Sequence, residues 1–181
     1  MATPCILLLL PLFLIPISSS SSFPPSSLVL SSCAHARYPS LCIRTLSPSA
    51  ARTPPALAVD AVSAAATSAH SALSFLHRFS HPPPTVRDCA EQISDSRDQL
   101  ASAAAEIRSL RRENSRWQLD NALTWASAAL TDQDTCLDAI RRLPPSARRS
   151  VSAHVSEARR VTCNALYFVS RLAGATPHRR R

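Results

Sequence analysis

The chain has 181 residues, enough for one domain with tails, and it contains 15 Pro but a single Gly, at Gly174. Tight hairpins and phosphate-cradling loops depend on Gly, so a sheet-rich fold, a dinucleotide fingerprint and a P-loop are excluded, while the Ala-, Ser- and Leu-rich remainder points to helices. All 20 basic residues are Arg against 12 acids, and the formal charge of +8 favours an acidic partner: nucleic acid, an anionic membrane or an anionic polysaccharide.

Residues 6–17 are apolar apart from Pro11 and Pro16 and lead into a Ser tract. The stretch is too short and too Pro-broken to span a bilayer as a helix, and it reads as the apolar core of a secretory signal peptide, residues 1–22, with cleavage expected near Ser22. The amino terminus is the only early positive charge and no Ala-x-Ala site is present, so an uncleaved anchor is the alternative. Cleavage removes Cys5 and leaves Cys33, Cys42, Cys89, Cys136 and Cys163. In an oxidising compartment, five cysteines imply two bridges and one odd thiol.

After a linker at Phe23 to Pro25, Ser26 to Ile43 reads as two short helical pieces broken at Tyr38-Pro39, because Pro disfavours helix in the residue before it. Pro54-Pro55 opens a long helix whose stripe, Leu57, Val62, Ala65, Ala69, Leu73 and Leu76, runs to about Phe79. His81 to Pro84 stops it. The next segment repeats Val86, Cys89, Ile93, Ser96, Leu100, Ala103, Ile107 and Leu110 with charges on the other face, and ends at Arg111 to Asn114. Ser115 starts a third, with Leu119, Ala122, Ala126, Ala129, Cys136 and Ile140 on one side, closed by Leu143-Pro144-Pro145. Ser146 can cap the fourth, whose stripe is Val151, Val155, Ala158, Val161, Ala165, Val169 and Leu172, and Gly174 is placed for a left-handed cap just past its end. Four amphipathic helices with short connections predict an all-α, up-down-up-down bundle over residues 23–176, followed by a basic tail at 177–181.

Bundle geometry constrains the cysteines. If the second and third long helices run antiparallel about a turn at Arg112-Glu113, both rising about 1.5 Å per residue, Cys89 and Cys136 lie equally far from the turn and both on inward stripes. Packed helices bring such positions within bridging distance. A turn at Leu143-Pro144 sets Cys163 level with Thr124 or Trp125 and with no Cys, so it reads as a free, buried thiol. Cys33 and Cys42 flank the Tyr38-Pro39 break, where the chain can fold back. Cysteines packed without bonds are the alternative, and no zinc-ligand spacing is present.

Cys33-Ala-His-Ala-Arg-Tyr38-Pro39-Ser-Leu41-Cys42 resembles the opening signature of the plant invertase and pectin methylesterase inhibitors. So do Asp88-Cys89-Ala-Glu91, the run from Thr124-Trp125 to Asp134-Thr135-Cys136, and Asn164-Ala165-Leu166, in that order along the chain. The resemblance covers about Ser27 to Leu172. It implies a four-helix bundle with an N-terminal helical hairpin, one bridge closing the hairpin (Cys33–Cys42) and a second tying the middle helices (Cys89–Cys136). Ala36, Ala126 and Cys163 depart from the family's usual Thr, larger apolar residue and Ser. No esterase domain follows, so the resemblance is to a free-standing inhibitor.

Other constellations carry bland readings. His77 and His81 lack a third ligand. Asp132, Asp134 and Asp138 lack the Gly and terminal Glu of a calcium loop. No Ser sits in a nucleophile elbow. His154 reads as a partly buried spacer, and Trp117 and Trp125 as core or groove anchors. Neither metal, cofactor nor catalysis is expected. The Arg pairs at 111–112, 141–142, 148–149 and 159–160, with 179–181, read as helix-end charge or as retention by acidic wall polymer, ahead of nucleic acid.

The expectation is therefore a secreted, cell-wall inhibitor that forms a stoichiometric complex over the active-site cleft of a pectin methylesterase. Invertase-directed members of the family carry Pro-Lys-Phe between the middle helices, whereas Glu113-Asn114-Ser115-Arg116-Trp117 offers no equivalent. An invertase inhibitor and a basic protein that binds pectin without an enzyme target remain as alternatives, and membrane binding is not expected after cleavage. Helical spacing places Gln92, Asp95 and Gln99 on the second long helix, and Gln118 and Asn121 on the third, as polar contact candidates outside the inward stripes.

Overall fold

Six α-helices account for most of the described residues, 24–175, of the computed structural model. The signal segment with Cys5 and the basic tail from residue 177 lie outside the described residues. Pro marks most of the starts, because its fixed φ suits a first helical turn that needs no N–H partner. α2 (Pro39–Leu46), α3 (Pro54–Leu76), α4 (Pro84–Arg108) and α6 (Pro145–Ala175) all begin this way. α1 (Ser27–Cys33) follows Ser26, whose Oγ accepts from the Val29 N–H at 3.3 Å, and the Thr53 Oγ1 caps α3 by accepting from the Ala56 N–H at 3.4 Å. α5 (Ser115–Ala139) tightens into a 3-10 turn at Ile140–Arg142.

Three boundaries differ from the sequence reading. α3 stops at Leu76, and Phe79 sits in the following turn, its N–H donating to the Leu76 carbonyl at 3.3 Å. α6 starts at Pro145, so Ser146 lies inside the first turn and is no cap. Gly174 is also helical and not at positive φ. A Cβ there would meet nothing within 4 Å, so no neighbour forces the chain to turn.

The long helices form a square in which α3 packs on α4, α4 on α5, α5 on α6 and α6 back on α3. Cross-helix bonds fit antiparallel α3–α4 and α4–α5 pairs: Arg108 Nη2 donates to Ser63 Oγ at 3.0 Å, and Asn121 Nδ2 to Glu106 Oε1 at 3.1 Å. The core is rich in small residues. Ala65, Ala69, Ala103, Ala122, Ala126, Ala129, Ala158 and Ala165 are all buried. Small seams let backbones approach, and the Cys89–Cys136 bridge spans a Cα separation of 4.6 Å. Cys33–Cys42 closes the α1–α2 hairpin at 5.6 Å, and α2 rests on α3 and α6.

One polar layer crosses this core. Gln133 Nε2 donates to Ser96 Oγ at 2.8 Å and to Thr162 Oγ1 at 3.0 Å, and Thr162 passes its own proton to the Ala158 carbonyl at 3.0 Å. All three side chains are buried, so slippage of α4, α5 or α6 would leave them unpaired. This layer and the Asp134–Arg159 pair put Cys163 level with Thr131 and Asp132, not with Thr124 or Trp125. The register across α5 and α6 is thus about two helical turns away from the one that a symmetric turn at Leu143-Pro144 implies. Cys163 is free but half-buried. No helix among the described residues is long and apolar enough to cross a membrane.

Candidate partner-binding surface

Along α4, Gln92, Asp95, Gln99, Ser102 and Glu106 recur at three and four between the buried stripe and solvent, on the side that faces α5. The α4–α5 register sets Asn121, Trp125, Ala128 and Asp132 against them, from the turn toward the Cys89–Cys136 bridge. By helical angle the two rows flank the α4–α5 seam, the shallow groove that a pair of packed helices leaves at its surface. Four of the five contact candidates line it: Asp95 is exposed, and Gln92, Gln99 and Asn121 are half-buried.

Gln118 does not. It is 7% exposed and works in the turn: its Oε1 accepts from the Arg111 N–H at 2.9 Å, and its Nε2 donates to the Ser109 carbonyl at 2.9 Å and to Ser109 Oγ at 3.0 Å. The end of α4 needs partners for its last carbonyls, and Gln118 supplies one from the start of α5.

The two tryptophans also differ from the core reading. Trp117 is 65% exposed and Trp125 is 41% exposed. At about 100° per residue, Trp117 lies opposite the Leu119–Ala126 stripe and Trp125 at its edge toward α4. With Leu30 they are the exposed large apolar side chains among the described residues. The signal was present in their angular offset from the stripe.

Below the groove, the Asp132 carboxyl is pushed above its ordinary range. Burial is the main cause, a hydrogen bond with Gln99 opposes it, and the Asp95 charge adds to the rise. Asp132 Oδ2 and Gln99 Oε1 are buried acceptors without a partner. With Asp95 and Glu106, the groove of this basic chain is acidic and rich in acceptors. The neighbouring acids are spoken for: Asp134 pairs with Arg159, and Asp138 with Arg141 at 3.0 Å.

The remaining sequence candidates are placed as follows. His77 and His81 are exposed, and no group of three metal-ligating side chains occurs among the described residues. His154 is exposed instead of partly buried, because its ring stacks outside the core on Phe75, with centroids 3.8 Å apart. Burial pushes the Cys163 thiol up, against the pull of Arg159 and Arg37.

The model of the plant invertase/pectin methylesterase inhibitor family matches residues 27–168. Pectinesterase inhibitor 3 of Arabidopsis thaliana is 38% identical over 161 residues, covering 80% of this chain and 78% of its own length. Pectinesterase inhibitor 9 of the same plant is 32% identical over 179 residues, covering 87% and 88% respectively. The crystal structure of a pectin methylesterase inhibitor from Arabidopsis thaliana shares the fold, with a TM-score of 0.58 and 23% identity over 81% of this chain and 97% of that one. The four motifs and both bridges lie within the matched span, and the chain belongs to the plant invertase/pectin methylesterase inhibitor family.

Proposed function

We propose that the chain is an extracellular inhibitor of a pectin methylesterase, and that it lays the α4–α5 groove over the enzyme's substrate cleft in a one-to-one complex. The relatives above are named as pectinesterase inhibitors, and the chain, like them, is not an enzyme. The observation that carries the choice of surface is Trp125, 41% exposed at the α4-facing edge of α5 in the same row as Asn121 and Asp132. An exposed aromatic anchor flanked by polar side chains suits a partner that offers an apolar pocket with a polar rim. The Cys89–Cys136 bridge and the Gln133 layer hold the groove's two walls in register before binding. Little entropy is then lost on docking, and inhibition follows from excluding the polysaccharide strand.

Esterase is favoured over invertase because the α4–α5 connection, Ser109-Leu-Arg-Arg-Glu-Asn114, and the Ser115-Arg116-Trp117 that follows contain no Pro-Lys-Phe. The apolar, Pro-broken segment at residues 6–17 supports export. Titrating the mature chain into a plant pectin methylesterase and into an acid invertase tests the reading. Stoichiometric loss of esterase activity with invertase untouched is expected. Potent invertase inhibition with an untouched esterase overturns it.

A further inference from the structure

Away from the α4–α5 groove, where the hairpin lies on α6, a cavity of about 400 Å³ opens between Arg37, Tyr38, Ser40, Arg44, Glu157 and Arg160. Three guanidinium groups meet one carboxylate there. Glu157 divides its oxygens, Oε1 to Arg44 at 3.2 Å and Oε2 to Arg160 at 2.8 Å, and so fixes the two cations across the opening. Arg37 stands 6.0 Å from the Tyr38 ring centroid, and among the described residues no carboxylate pairs with it. The site carries an excess of two positive charges, and α2 starts beside it with no side-chain cap. The rim is rigid: Cys33–Cys42 closes the hairpin, and Asn164 holds the Tyr38 backbone through two bonds of 3.0 Å.

Planar guanidinium forks bind carboxylates through paired hydrogen bonds, and a half-exposed tyrosine ring offers a face for the apolar side of a sugar. We propose that this cavity binds a uronate-bearing polysaccharide, the carboxylate polymer left when a pectin methyl ester is hydrolysed. The anion site stands on the arginine geometry alone, whereas the choice of a uronate over a phosphate rests on the esterase reading above. An inhibitor built this way holds the enzyme with one face and the enzyme's product with another. It therefore collects where de-esterification has gone furthest.

Calorimetric titration of the mature chain at low salt tests this with three probes: de-esterified oligogalacturonate, its fully methyl-esterified counterpart and inorganic phosphate. Binding of the first alone is expected. Arg37→Gln/Arg44→Gln/Arg160→Gln should weaken it about tenfold or more, and Arg111→Gln/Arg112→Gln/Arg149→Gln, an equal charge change elsewhere, less than about threefold. Equal weakening by the two triples would show diffuse charge and overturn the site. Phosphate binding as tight as the oligomer, or binding of the neutral ester, would overturn the uronate assignment. Esterase inhibition by the first triple should be unchanged, with circular dichroism verifying its fold. Loss of inhibition in that folded variant would place the cavity in the enzyme contact and overturn its role as a polymer site. A chain that binds the uronate but inhibits no esterase would instead leave the cavity standing and remove the proposed function.

Discussion

Asn164 satisfies both backbone polar groups of Tyr38: its Oδ1 accepts from the Tyr38 N–H at 3.0 Å, and its Nδ2 donates to the Tyr38 carbonyl at 3.0 Å. The two residues are 126 positions apart. One amide side chain thus ties the hairpin to α6 at the point where Pro39 prevents the backbone from continuing a helix. Asn164 is itself buried, so its end of both bonds is shielded from water. Asn164→Ala strands the Tyr38 N–H and should cost about 1–3 kcal/mol. Hydrogen exchange at Tyr38 should accelerate far more than exchange in the Gln133 layer. Uniform acceleration throughout would show the bond to be unimportant to docking.

The two bridges should stabilise unequally. Cys89 and Cys136 are 47 residues apart and Cys33 and Cys42 only 9, so loop-closure entropy gives about 4 kcal/mol for the first and about 2.5 kcal/mol for the second. Paired Cys→Ala variants compared by denaturant unfolding check the order. A larger loss for the hairpin pair would mean that native packing, not chain entropy, sets the difference.

The four-helix order, the Pro-defined starts and both bridges were legible because each rests on local chemistry or on equal distances from a turn. The second register was not. The connection through Ile140–Arg142 and Leu143-Pro144 is not a symmetric turn, so residues equally far from it do not face each other across α5 and α6. Gln133 fell on the inward stripe, but a stripe does not announce that its polar member will find Ser96 and Thr162. The groove was half legible. Spacing set Gln92, Asp95, Gln99 and Asn121 on the α4–α5 face, yet Gln118, one helical turn before Asn121 on the same side, is consumed by the α4–α5 turn. The Arg37–Arg44–Arg160 cluster left no trace in sequence, because docking of the hairpin alone brings it together.

Asp132 makes stability depend on pH. Its folded-state pKa is raised, chiefly by burial, so between the unfolded and folded values the native state binds more proton than the unfolded chain. The sign follows. Stability is greatest below the ordinary carboxylate range and falls as pH rises from there through the raised value. Asp132→Asn removes this dependence and the repulsion by Asp95. The variant should gain stability relative to wild type as pH increases, with the gap closing on the acid side. Unfolding free energies measured across that range check it, and a pH-independent gap would sink the assignment.

Trp125 and Gln118 separate binding from folding. Trp125 is already 41% exposed, so truncation removes limited packing, but as a central anchor of the esterase contact it should matter. Trp125→Ala is expected to raise the inhibition constant about 30-fold, near 2 kcal/mol, with a small change in melting temperature. Trp117→Ala, at the more exposed end of the groove, should weaken inhibition less and leave stability unaltered. Gln118→Ala should do the reverse, because it unpairs the Arg111 N–H and the Ser109 carbonyl while touching nothing outside the turn. Inhibition constants and melting curves on the three variants decide between the roles. Should Gln118→Ala weaken inhibition as much as Trp125→Ala, the shape of the α4–α5 turn, and not the indole, would be what holds the enzyme.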